Sequence, residues 1–219
     1  MIALMKNPEY QTRLLAEFDE EIIQPHLQER AEKGELKKGD DVSDVNILDL
    51  ISFDNGSNMK LFANCFNEGL RMQPPVYFSS TVKMSETVQC GPLKIRKGDM
   101  LSISMFHLCN NPKEWIEPSK FIPERFDNDS KYYLTPDGKK RNAYSFSPFL
   151  GGMRICIGKT FVEAVSKFVV PTLLTHFKFE FLEGIDKNEV QYPHNNLTAS
   201  ASPKMQVTIQ DRNISYKVK

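Results

Sequence analysis

The sequence lacks the features that assign a chain to a class at a glance. No apolar run is long enough to cross a membrane as a helix. Neither charge sign prevails: 28 Lys and Arg stand against 28 Asp and Glu, so net charge gives no attraction to nucleic acid. The four cysteines, Cys65, Cys90, Cys109 and Cys156, form no CxxC pair and no zinc spacing. That excludes a metal-knuckle or disulfide framework and fits a reducing compartment. There is a single Trp, no internal repeat and no long low-complexity run. What remains is a chain of 219 residues, enough for one large domain with a sizeable core.

Apolar periodicity then divides the chain. Residues 5–30 read as a helix with Asn7 as cap and Pro8 in its first turn. Leu14, Leu15, Phe18 and Ile22 form its inward stripe, and Pro25 ends or kinks it. Charged residues 30–45 read as a loop, followed by a short helix over 45–51 and a turn at Asp54-Asn-Gly-Ser. A second long helix covers 58–72, with Leu61, Cys65, Phe66, Gly69 and Met72 inward and Pro74-Pro75 as its stop. On it, Glu68 and Arg71 lie three apart and share a side; such a pair is ordinarily a weak surface bridge. Short, partly alternating segments from Val76 to Ser104 read as a small antiparallel sheet. A polar meander follows, then a helix to about His176 with a kink at Pro171, then strands at 177–182 and 205–209. The fold class is mainly α with a small antiparallel β subdomain. The parts are helical 1–75, β-rich 76–105, meander and Cys loop 106–158, and helix with terminal strands 159–219.

The stretch that carries chemistry is Phe146-Ser-Pro-Phe-Leu-Gly-Gly-Met-Arg-Ile-Cys-Ile-Gly-Lys-Thr160. Gly151 and Gly152 let a planar ligand approach the main chain, and Gly158 is expected to do the same beyond Cys156. Cys156 precedes a helical pattern, where backbone N–H groups favour a thiolate. Arg154 is always charged and suits a carboxylate. A lone Cys beside an Arg is usually a structural residue. Here Phe149, Gly152, Arg154, Cys156 and Gly158 occur together.

That set resembles the haem-binding signature of the cytochrome P-450 superfamily, Phe-x-x-Gly-x-Arg-x-Cys-x-Gly. Glu68-Gly-Leu-Arg71 is similar to the family's Glu-x-x-Arg motif, and Pro123-Glu-Arg-Phe126 to its downstream motif. The resemblance implies the C-terminal half of the cytochrome P-450 fold. It implies haem b with Cys156 as axial thiolate, Arg154 on a propionate, and a buried structural triad of Glu68, Arg71 and Arg125. A thiolate ligand favours O–O cleavage at the iron. The expected activity is therefore a monooxygenase acting on a small apolar substrate, with electrons from an NADPH-dependent reductase. Substrate contacts are expected at Val76, Tyr77 and Phe78 and at Thr198, Ala199 and Ser200. If the parent protein has an N-terminal anchor, it is expected at the endoplasmic reticulum membrane, facing the cytosol.

The chain departs from the family in several places. Members are roughly twice as long, and the central helix with its proton-delivering acid–alcohol pair is not matched. The chain is thus expected to be a partial domain, inactive by itself. A basic propionate anchor is missing from Phe78-Ser-Ser-Thr81, Leu150 stands where Gly is frequent, and Val165 where Glu is frequent. A non-catalytic haem binder and a haem-thiolate isomerase or dehydratase are the alternatives.

Overall fold

The computed structural model describes residues 1–52, 54–185 and 206–219. Its architecture is mixed: helices with small antiparallel ladders, as the sequence pattern predicts. The described residues form two compact units. One comprises Met1–Asn67 with 157–185 and 206–219, and the other Glu68–Cys156.

The first unit opens with α1 (Ile2–Lys6) and α2 (Pro8–Phe18). Asn7 makes no side-chain cap on α2; its amide donates back to Ala3 O at 2.8 Å and so closes α1 instead. Pro25 does not end the helix. A π-helical turn at Asp19–Ile23 comes first, and the helix resumes as α3 (Gln24–Glu32). Proline has no N–H, and its ring crowds the carbonyl four residues back; a widened turn just before it accommodates both. Leu14, Phe18, Ile22, Ile23 and Leu27 are buried along this face, while Leu15 is only half-buried.

The charged loop after α3 contains a strand that composition hides. β1 (Asp41–Val42) pairs antiparallel with a strand at Tyr216–Lys217, and Val42 is its one buried residue. Then come α4 (Ile47–Leu50), capped by Asn46, and α5 (Lys60–Met72), whose last turn from Glu68 belongs to the second unit. The buried face of α5 is Phe62, Cys65, Glu68 and Arg71, with Met59 just before it. This is about one residue round from the expected stripe of Leu61, Cys65, Phe66, Gly69 and Met72, of which only Cys65 is buried. Two of the inward positions are charged, so apolar periodicity alone misplaces the face.

In the second unit, β2 (Val82–Lys83), β3 (Val88–Cys90), β4 (Leu93–Ile95) and β5 (Met100–Leu101) make two separate ladders, β2 with β5 and β3 with β4. The expected single sheet is therefore divided, and of Val76-Tyr-Phe the two outer residues are isolated bridge positions, Phe78 pairing with Ser104. α6 (Met105–Cys109) starts at Ser104, whose hydroxyl accepts from His107 N. The meander folds as 3-10 turns at Pro123–Phe126 and Lys131–Tyr133. Back in the first unit, α7 (Lys159–His176) runs through Pro171, and β6 (Phe177–Phe181) pairs with β7 (Val207–Asp211). β8 (Tyr216–Lys217) is the partner of β1.

Candidate functional site

The second unit is organised round three charges from which water is fully excluded. Arg71 Nε donates to Glu68 Oε2 at 2.7 Å and its Nη2 to Oε1 at 2.9 Å, the two-pronged geometry that guanidinium and carboxylate favour. Arg125 Nε donates to the same Oε1 at 3.0 Å, and Ile122 N adds a bond at 2.8 Å. Glu68, Arg71 and Arg125 are all completely buried. The structure thus brings together three residues that lie 57 positions apart at their extremes.

One carboxylate does not balance two guanidinia, and the surplus is met by carbonyls. Arg71 also donates to Cys109 O at 3.1 Å and Pro118 O at 2.8 Å. Arg125 donates to Ile116 O and, at 2.7 Å, to Glu117 O. To aim its carbonyl there, Glu117 adopts a φ of 48°, a left-handed conformation unfavourable for a residue with a side chain. Burial pushes the Arg125 pKa down, and the Glu68 charge partly restores it.

A third basic residue joins this cluster, and no motif announced it. Arg141 donates to Tyr132 O at 2.8 Å and Arg125 O at 2.5 Å. Its guanidinium lies 4.4 Å from the Trp115 ring centre, and that of Arg71 lies 5.3 Å from the same ring. Burial lowers its pKa too. The sequence signal was weak: a basic residue near a lone Trp, separated from it by a polar meander. Trp115 in turn meets Phe126 and Phe146, and these two stack edge to face at 4.9 Å. The ring pair joins the Pro123–Phe126 turn to the first residue of the Cys stretch.

From Phe146 the backbone is tied tightly. Leu150 N donates to Ser147 O at 3.0 Å and Cys156 N to Phe149 O at 2.9 Å. Gly152 opens a 3-10 turn to Arg154 at φ 65°, where its lack of a side chain is required. Gly151 is extended and Gly158 lies in the right-handed region, so neither uses glycine's special freedom. Leu150 has φ 64°, so the residue standing where Gly is frequent occupies a conformation that suits Gly.

Cys156 carries a free, exposed thiol. Beside its loop lies a cleft of about 720 Å³ with walls of Val82, Leu101, Ile103 and Leu150, the hydroxyls of Ser79 and Ser80, and Arg154. Gly152 lines it as well; Cys156 does not. Apolar walls with one guanidinium fit a flat, apolar, carboxylate-bearing group. Among the described residues no three His, Cys, Asp or Glu side chains converge on a metal position.

The expected substrate contacts separate. Val76 and Phe78 are exposed, whereas Tyr77 turns inward. Its hydroxyl meets the Gln73 amide, its ring lies 5.2 Å from that of Phe106, and its carbonyl accepts from Met105 N at 2.8 Å. Tyr77 is therefore a packing residue in the second unit. Thr198, Ala199 and Ser200 lie outside the described residues.

The family model for cytochrome P450 matches residues 1–209. Similar curated proteins include cytochrome P450 4A10 of Rattus norvegicus, 34% identical over 65% of this chain and 26% of that protein. Cytochrome P450 4F2 of Homo sapiens is 31% identical over 80% of this chain and 28% of its own length. Cytochrome P450 4A10 of Mus musculus is 36% identical over 60% and 24%. The chain spans less than a third of the length of these relatives.

Proposed function

Because the chain belongs to the cytochrome P450 family, we propose that it supplies the cysteine-bearing part of a haem-thiolate monooxygenase that places one oxygen atom of dioxygen into a small apolar substrate. The observation that carries this is Cys156: a free, exposed thiol on a loop whose backbone is pinned to Phe149, beside an apolar cleft holding one guanidinium. Haem b, when bound, supplies the iron at which dioxygen is reduced and activated. Cys156 would hold that iron through its thiolate. Arg154, which lines the cleft, would bind a propionate, and with no basic residue in Phe78-Ser-Ser-Thr81 it would carry more of that task. Phe149 and Gly152 shape the loop, and Gly158 begins the helix after it. Glu68, Arg71 and Arg125 position the meander from which the loop springs, and none of them touches reactants. Val76 and Phe78, with Thr198, Ala199 and Ser200, contact the substrate.

Electrons come from an NADPH-dependent reductase, and a parent protein with an N-terminal anchor would work at the endoplasmic reticulum membrane, facing the cytosol. A second reading is favoured by one observation, the coverage of less than a third of the relatives' length: the chain by itself holds haem without turnover. Haem titration followed by reduction and carbon monoxide tests both. Wild type is expected to give a thiolate-type Soret shift, and Cys156→Ser to lose it. A Cys156→Ser spectrum identical to wild type would remove Cys156 as ligand. Turnover with NADPH and reductase separates the monooxygenase from the binder.

A further inference from the structure

Among the charged residues packed behind the Cys stretch, Arg141 is placed unlike the rest. Its Nη1 donates to Tyr132 O at 2.8 Å and its Nη2 to Arg125 O at 2.5 Å. Its guanidinium carbon lies 4.4 Å from the Trp115 ring centre and 5.3 Å from that of Tyr133. Guanidinium suits this task because its donors are fixed in one plane and its faces can stack on rings; an ammonium is a point charge with neither property. The side chain thus ties together the turn at Pro123–Phe126, the turn at Lys131–Tyr133 and the buried Trp115.

Beyond Arg141 the chain is fastened step by step as far as the cysteine. Asn142 N donates to Glu114 Oε2 at 2.9 Å, so the residue after Arg141 is held to the residue before Trp115. Ser145 N and Oγ both donate to Asn142 O, at 3.0 and 2.7 Å. Ser147 Oγ donates to Tyr144 O at 2.9 Å. The bonds from Leu150 N to Ser147 O and from Cys156 N to Phe149 O complete the series. Each tie overlaps or abuts the next along the sequence: 142–145, 144–147, 147–150, 149–156. By contrast, among the described residues no side-chain hydrogen bond of Glu68, Arg71 or Arg125 reaches residues 142–156.

We infer that Arg141 is a positioning residue for Cys156, joining the buried charges to the loop that carries the thiol. A side chain that anchors the stem of a ligand-bearing loop orients the ligand atom without touching it. Loss of the fork frees the stem at Arg141, and the later ties then move as one with it. The Glu68–Arg125 bond and the Phe126–Phe146 contact do not involve Arg141. The second unit therefore keeps its fold in such a variant while the sulfur loses its fixed place. The consequence for haem rests on the reading of Cys156 as its ligand; the link between Arg141 and the loop rests on geometry alone.

The test uses the full chain. Arg141→Lys keeps the charge without the fork, and Tyr133→Leu, the milder change, removes one stacking ring and leaves both hydrogen bonds. After haem titration, reduction and carbon monoxide, both are expected to bind thiolate-ligated haem more weakly than wild type, Arg141→Lys by about tenfold. Leu14→Ala, a core truncation in the first unit, is the control: it is expected to melt earlier and to keep wild-type ligation. A nitroxide on Cys156 gives a readout without haem. Cys90→Ser is its background, where Cys156 is the one exposed thiol because Cys65 and Cys109 are buried. The nitroxide lines are expected to narrow in Arg141→Lys and Tyr133→Leu and to stay broad in Leu14→Ala. Unchanged lines or undiminished ligation in Arg141→Lys, or an equal loss in Leu14→Ala, would overturn the assignment. Should Arg141→Lys not fold, the same outcomes in Tyr133→Leu decide; failure of both to fold would make Arg141 a core residue only. If wild type and Cys156→Ser take up haem with one spectrum, the haem reading fails, and the nitroxide lines still decide for or against Arg141.

Discussion

Removing the Glu68 carboxylate leaves Arg71 and Arg125 confronting each other without water. Loss of one partner from a buried ion pair typically costs about 3–5 kcal/mol, because the remaining charge is stranded. Glu68→Ala is therefore expected to lower the unfolding free energy by that amount or to prevent folding, with Glu68→Gln milder. A urea titration of both variants decides; a change below about 1 kcal/mol in Glu68→Ala, the size of a surface bridge, would contradict the arrangement. Leu150 gives a subtler test. At φ 64° its backbone is strained, whatever its side chain touches. Leu150→Ala loses the side chain and keeps the strain, whereas Leu150→Gly loses both. The Gly variant is expected to be more stable than the Ala variant by about 1 kcal/mol, the reverse of the usual order. Equal midpoints would mean that the strain is absent in solution.

Between elements, Glu17 does what its place on the polar side of α2 did not suggest. Its two oxygens accept from Leu61 N at 2.5 Å and Phe62 N at 2.8 Å, so α2 caps the first turn of α5. Burial raises its pKa above the ordinary carboxylate value, and the two backbone bonds only partly offset this. A carboxyl with a raised folded pKa contributes stability fully below its unfolded pKa and loses it as pH rises through the folded one. Wild type should therefore lose ground against Glu17→Gln as pH rises above about 4, the ordinary carboxylate range. Parallel pH curves for the two proteins would refute the assignment. On α7, Phe161, Val165 and Val169 recur at helical spacing, yet all three are exposed, Phe161 by 74%. Periodicity identified the helix but not whether its apolar stripe is covered. Phe161→Glu in this chain is expected to change stability by no more than about 0.5 kcal/mol in thermal unfolding. A loss of about 2 kcal/mol or more would place Phe161 in a core.

At the scale of the whole molecule, ligand binding and folding are linked. Haem that binds the folded chain and not the unfolded one raises the melting temperature with its concentration. The rise is expected to be smaller for Cys156→Ser, and a calorimetric titration would show it. Equal rises would mean that haem is held without this thiol. Two ladders, a divided sheet and a loop braced by Trp115, Phe126 and Phe146 make the second unit the one in which these effects meet.

The family and the sorting into helices and short strands were legible along the chain alone. Cys156, Arg154 and the glycines are close neighbours in the chain, and local spacing is what a sequence displays. It also sufficed for the helices with strong apolar periodicity. Tertiary structure decided the rest. It paired β1 with β8, because a two-residue strand with one buried Val42 has no periodicity to detect. It turned α5 by one residue, because burying Glu68 and Arg71 is tolerable only once Arg125 and distant carbonyls arrive to meet them. It recruited Arg141 and Glu17 through partners many residues away, and it put Tyr77 inside. In each of these cases the favourable interaction exists only after the chain has closed on itself.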